Sequence, residues 1–119
     1  MANSSTAGVG LCSPIGHPVT EKLTKTNFAL WKVQVLPAIR GAQQMGYIDG
    51  TIPAPPLLIA GEKDGDPKVP NSKHANWLAK DQQVFSYLIG SISRDILAQV
   101  ASFVSARDLW RALEEMFSS

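Results

Sequence analysis

The sequence predicts an all-α fold, a small bundle of about four helices, and three observations carry that prediction. Three tryptophans, Trp31, Trp77 and Trp110, occur in 119 residues, each among apolar neighbours. A Trp ring left in water is costly, so the three mark helix faces meeting in one core. Around each Trp, apolar residues recur every three or four positions, the period of an amphipathic helix. The stretches between these segments are rich in Pro, Gly and Ser, which interrupt regular structure.

Residues 1–22 hold Gly8, Gly10, Pro14, Gly16 and Pro18 without a period, so they read as a disordered arm before a helical domain over 23–119. Thr26 and Asn27 offer N-cap side chains for a first helix. Its stripe is Phe28, Trp31, Val35, Ile39 and Ala42. Pro37 lies inside the stripe and removes one amide, so a kink or a break is expected there. Gly46 is expected to end the helix. Tyr47-Ile48-Asp49-Gly50 is a turn signature, and Pro53, Pro55 and Pro56 exclude helix just beyond. The Pro/Gly-rich stretch 49–70 reads as a long mobile loop, with Ile52, Leu57, Leu58 and Ile59 available to tack it onto the helices.

The second helix is expected from Asn71 or Ser72 to about Ser91, with Trp77, Val84, Phe85, Leu88 and Ile92 on its apolar face. Ser93-Arg94-Asp95 caps a short third helix holding Ile96, Leu97 and Val100. Ser105-Ala106-Arg107-Asp108 resembles a capping box, with Asp where Glu is usual. Leu109, Trp110, Leu113, Met116 and Phe117 complete an amphipathic fourth helix.

Composition narrows function. Eleven Lys and Arg against ten Asp and Glu leave a formal net charge of +1, which lacks the basic footprint of a nucleic-acid binder. Cys12 is the lone cysteine, so neither a disulfide framework nor a cysteine metal site can form. No apolar run reaches membrane-spanning length, and the first residues lack a secretory signal pattern. A cytoplasmic location follows, the small size also permitting nuclear entry.

No catalytic constellation emerges. His17 and His74 are far apart in sequence, with no ligand-type partners at metal spacing. The glycines match no phosphate-binding pattern, and Asp64-Gly65-Asp66 is a polar turn whose later calcium positions hold Pro67, Val69 and Pro70. No nucleophile is paired with a base, so the chain is expected to be non-enzymatic, with no metal and no cofactor. The residues singled out are structural: Phe28, Trp31, Trp77, Phe85, Leu88, Leu109, Trp110 and Leu113 as core, and Asp81 as an acceptor. Asp81 lies one turn after Trp77 and one before Phe85. A carboxylate beside that stripe needs donors, from an indole N–H or from amides at a helix start.

The motifs also carry a resemblance. Leu23-Thr24-Lys25-Thr26-Asn27-Phe28-Ala29-Leu30-Trp31, then Trp77 with Asp81, then Ala106-Arg107-Asp108-Leu109-Trp110-Arg111-Ala112-Leu113-Glu114-Glu115-Met116-Phe117 resemble the N-terminal part of the Gag polyprotein of copia-type long-terminal-repeat retrotransposons. Leu36-Pro37-Ala38-Ile39-Arg40-Gly41 and Gly46-Tyr47-Ile48-Asp49-Gly50 resemble its plant branch most. The resemblance covers roughly residues 21 to 119. It implies a capsid N-terminal-like helical domain from proteins that form particles around the element's RNA. A CCHC zinc knuckle, a protease triplet and a second capsid domain are absent from the sequence, so a truncated or domesticated Gag is expected. Its partners would be Gag-like proteins or itself through weak contacts, made by exposed faces of the first and second helices rather than by the loop at 49–70, with weak or absent nucleic-acid binding and no membrane. The alternative is a host adaptor or regulatory domain derived from Gag, which binds protein partners or interferes with intact Gag.

Overall fold

The computed structural model describes Ile15 and residues 19–118. The order is α1 (Phe28–Gly41), α2 (Gly46–Asp49), β1 (Leu58–Ile59), β2 (Val69–Pro70), α3 (Ser72–Gly90), α4 (Arg94–Val100) and α5 (Ala106–Phe117).

α1 buries Trp31, Val35 and Ile39, and Pro37 lies inside it without ending it. Packing wins over the missing amide, because Val35 and Ile39 on either side of Pro37 are both fully buried. Asn27 occupies the N-cap position, yet its side chain does not bond into the helix. Its Oδ1 accepts from Thr24 N at 2.7 Å and its Nδ2 donates to Lys22 O at 2.9 Å, so it organises the approaching chain instead. The helix ends at Gly41 rather than at Gly46. Ala42 N and Gln43 N close back onto Ala38 O and Arg40 O, and Gln43 turns the chain with φ of 61°. Gly46 heads the short α2, where a Cβ would run into the Ile52 side chain.

The stretch 49–70 is not wholly loop. β1 and β2 pair antiparallel, with Leu58 opposite Pro70 and Ile59 opposite Val69. Among the described residues the fold is therefore mostly helical rather than all-α, with five helices beside this two-stranded ladder. Two residues per strand are too few for alternation to register in sequence. Asn71 joins the ladder to α3: its N–H donates to Leu57 O at 2.9 Å, and its Nδ2 donates to Pro56 O at 2.8 Å. The same side chain caps α3 by accepting from Lys73 N at 3.0 Å. Leu57, Leu58 and Ile59 remain exposed, so backbone polar groups rather than apolar side chains fasten this segment.

α5 packs on α2 and α3. Ser105 caps it by accepting from Asp108 N at 3.2 Å. Leu23 lies fully buried beside Ile92 in an isolated parallel bridge. Leu23 N donates to Ser91 O and Ser93 N donates to Leu23 O, both at 2.9 Å. The indole N–H of Trp31 reaches the same Ser91 carbonyl at 3.0 Å. One carbonyl at the end of α3 thus gathers the incoming segment and α1. Of the 1–22 arm, the described residues Ile15 and Val19 pack against the core, and Thr20 donates to Gln34 Oε1 at 3.1 Å; residues 1–14 and 16–18 lie outside the described residues.

Candidate interaction surface

The interior is built from a row of aromatic rings. Phe117, Phe28, Trp31 and Trp110 follow one another with centroids 5.3, 5.9 and 5.6 Å apart and planes within 24–27° of parallel. The row joins α1 to α5, and such offset stacking adds to the burial of each ring. Leu88, Leu109 and Leu113 are fully buried in the same cluster, and Phe85 packs against it partly buried.

Trp77 stands apart from this row. It is partly buried, tilted against Tyr47 at 5.8 Å, and donates its Nε1–H to Ile52 O at 2.7 Å. Its place is the edge of the core, where it pins the beginning of the 49–70 segment to α3. The sequence around Trp77 has the same helical spacing as that around Trp31, and spacing alone does not separate a central ring from a marginal one.

Asp81 is 1% exposed. Its Oδ1 accepts from Ala106 N at 3.2 Å, the first amide of α5, and its Oδ2 accepts from Gln82 Nε2 at 3.0 Å. Gln82 in turn donates to Val104 O at 2.9 Å. The carboxylate is therefore a strut between α3 and the start of α5, answering an amide that has no partner inside its own helix. Burial pushes its carboxyl above the ordinary value of 3.8; the bonds from Ala106 and Gln82 oppose that, and nearby Asp108 adds to it.

Asp49 is held below the usual carboxylate value by bonds from the Thr51 hydroxyl and amide, with Arg107 helping. His74 lies 6.4 Å from the Trp77 ring. His17 and Cys12 lie outside the described residues. Among the described residues no three His, Cys, Asp or Glu stand together as a metal site, and no helix is long and apolar enough to cross a membrane.

What the arrangement offers a partner is apolar surface. On the outer face of α1, Leu30 and Val33 are exposed, Val33 by 69%. A groove of about 430 Å³ on this helix is lined by Phe28, Lys32, Val33, Leu36, Pro37 and Arg40. The Lys32 ammonium lies 4.9 Å over the Phe28 ring. A second exposed group, Leu57, Leu58, Ile59 and Val69, sits on the ladder. Sequence reasoning assigned Leu57–Ile59 an inward role and did not single out Lys32, Val33 or Arg40. The signal that could have found the α1 face is Val33, an apolar residue off the buried stripe. Exposed apolar side chains gathered into patches are the physical mark of contact surfaces.

Comparison with known proteins gives this geometry a context. Residues 18–56 match the family model described as Gag-polypeptide of LTR copia-type. Two curated proteins of Arabidopsis thaliana align over 98 residues, 82% of this chain. They are the retrovirus-related Pol polyprotein from transposon RE2, 31% identical, and that from transposon RE1, 30% identical. The chain spans 6% of the length of each. No solved structure gives a significant match.

Proposed function

This chain is a relative of the Gag-polypeptide of copia-type elements, and on that premise we propose that it is a non-enzymatic, capsid-like domain working by protein–protein contact. Its partners on this reading are Gag-like proteins or further copies of itself. The observation that carries the reading is the pairing of a filled aromatic core with exposed apolar patches on α1 and on the β1–β2 ladder. A lattice built from many weak contacts needs only modest patches of this kind, because multivalency multiplies them. With a formal net charge of +1, few phosphates can be neutralised, so RNA binding by this chain alone is expected to be weak.

Sedimentation velocity of the chain alone, then mixed with a longer copia-type Gag, tests the proposal. The expected result is mostly monomer alone at micromolar concentration and incorporation into, or disturbance of, the Gag assemblies on mixing. No effect at any ratio would remove the assembly role.

A further inference from the structure

We propose that the segment 52–57 is a ligand for the aromatic groove of a proline-recognising domain on another protein, presented as a left-handed polyproline helix. The proposal is independent of the assembly reading and adds a partner of a different kind.

The sequence itself dictates the backbone here. Pro53, Pro55 and Pro56 have φ locked near the polyproline value, and Ile52, Ala54 and Pro55 each precede a proline, which keeps them out of the helical region. Residues 52–56 are thus all confined to extended or polyproline geometry, and 53–56 carry no helix, strand or turn. A polyproline helix has about three residues per turn, so side chains three apart share a ridge. Burial follows that period. Ile52, at 39% exposure, lies over Gly46, and Pro55 is the one half-buried residue between 51 and 60. Pro53 with Pro56, and Ala54 with Leu57, form the other two ridges, and all four are exposed.

The segment is also fastened at both ends. Trp77 Nε1 donates to Ile52 O at 2.7 Å, while Asn71 donates through Nδ2 to Pro56 O at 2.8 Å and through its amide to Leu57 O at 2.9 Å. Between these fastenings the carbonyls of Pro53, Ala54 and Pro55 accept no hydrogen bond from any of the described residues. They are the acceptors that the indole and phenol donors of an aromatic groove would use. A segment held in place before binding loses little conformational freedom on docking. The partner is not another copy: every Phe, Tyr and Trp of this chain belongs to the core or packs against it, so a second copy offers no slot between two free rings. From Gly50 to Gly61 no residue is charged, so the complementary groove is neutral, as a WW-type slot can be, rather than acidic.

Titration of the isotope-labelled full chain with a panel of purified WW domains, followed by NMR, tests the proposal. The amides of Ile52, Ala54 and Leu57 are expected to shift, while those of Val35 and Leu88 in the core stay in place. Pro53→Ala with Pro56→Ala removes the outward proline ridge and should weaken binding about tenfold or more, whereas Pro55→Ala, on the inward ridge, should change it less than about threefold. Trp77→Phe keeps a ring and removes the donor to Ile52 O, so it should weaken binding about threefold through lost preorganisation. The core amides report whether each variant is folded, and Leu57→Asp, at an exposed site, carries the comparison if the double proline variant is not. Absence of any shift at Ile52, Ala54 and Leu57 up to about millimolar domain overturns the proposal, as do shifts confined to α1 or equal losses for the outward and inward proline variants. Tighter binding to an SH3 domain with an acidic pocket than to any WW domain would overturn the neutral groove. Failure here leaves the assembly reading standing, because sedimentation with a longer Gag tests that reading separately.

Discussion

Replacing Asp81 by Leu removes the acceptor that α3 extends to the first amide of α5. Ala106 N, fully buried, then has no bond within its helix, and such a stranded donor costs about 1–3 kcal/mol. Gln82 keeps Val104 O, so its loss is small. Against this, the variant no longer buries a carboxylate whose desolvation already works against the charged form. The net expectation at neutral pH is a destabilisation of about 1–2 kcal/mol for Asp81→Leu and less than about 1 kcal/mol for Asp81→Asn, which retains an oxygen for Ala106. The pH dependence has a definite sign. The folded carboxyl is held above its ordinary 3.8, so the folded state binds this proton more tightly than the unfolded chain. Its stabilising contribution is full below that value and fades as pH rises through the raised one. Asp49, shifted the other way, contributes stability above the ordinary value that is lost on acidification, so wild type must be compared with Asp81→Asn rather than read alone. Urea melts of wild type, Asp81→Asn and Asp81→Leu from about pH 3.5 to 7 make that comparison. Equal or greater stability of the Leu variant at neutral pH would refute the strut, and parallel pH profiles for wild type and Asn would refute the titration argument.

The three tryptophans should not be equal. Trp31→Ala and Trp110→Ala should each cost about 3–5 kcal/mol in denaturant melts, the usual range for a large buried aromatic, and Trp77→Ala clearly less. Trp77→Ala should also speed amide exchange around Ile52, whose carbonyl it holds, while leaving Val84 and Leu88 protected. Gly50→Ala should lower stability by about 1 kcal/mol, because Gly50 sits at φ of 84° with the Arg107 guanidinium where a Cβ would go; an unchanged thermal midpoint would contradict this. RNA binding measured by polarisation at physiological salt should stay weaker than micromolar, and tighter binding would mean that local rather than net charge governs the surface.

Much of the helical framework was legible because burial and helical period coincide. Trp31, Val35 and Ile39 on α1, and Leu109, Trp110 and Leu113 on α5, recur at three or four residues and are all buried. What was not legible depends on partners remote in sequence. Leu23 is as buried as any core residue and is bridged to Ile92, and nothing near it in the chain announces the bridge. Asn27 has a good N-cap side chain, yet Thr24 N and Lys22 O claim it. The β1–β2 ladder is hidden by its length and its prolines. An exposed face of the first helix was expected, but its residues could not be picked out, because a leucine or valine in a sequence looks the same whether it is filling a core or facing solvent.

The Ser91 carbonyl has a consequence in time as well as in space. The Trp31 indole that bonds to it lies 60 residues earlier in the chain. Bringing two points together across about 60 residues costs on the order of 3–4 kcal/mol of chain entropy, to be recovered only when the aromatic row closes behind it. α1 can begin to coil early, but its Trp has no polar partner until the end of α3 has been made and has arrived. During synthesis the first half of the chain would therefore wait in an unsealed state, its apolar stripe uncovered. The rate at which this knot closes, rather than the rate of helix formation, should set the speed of folding.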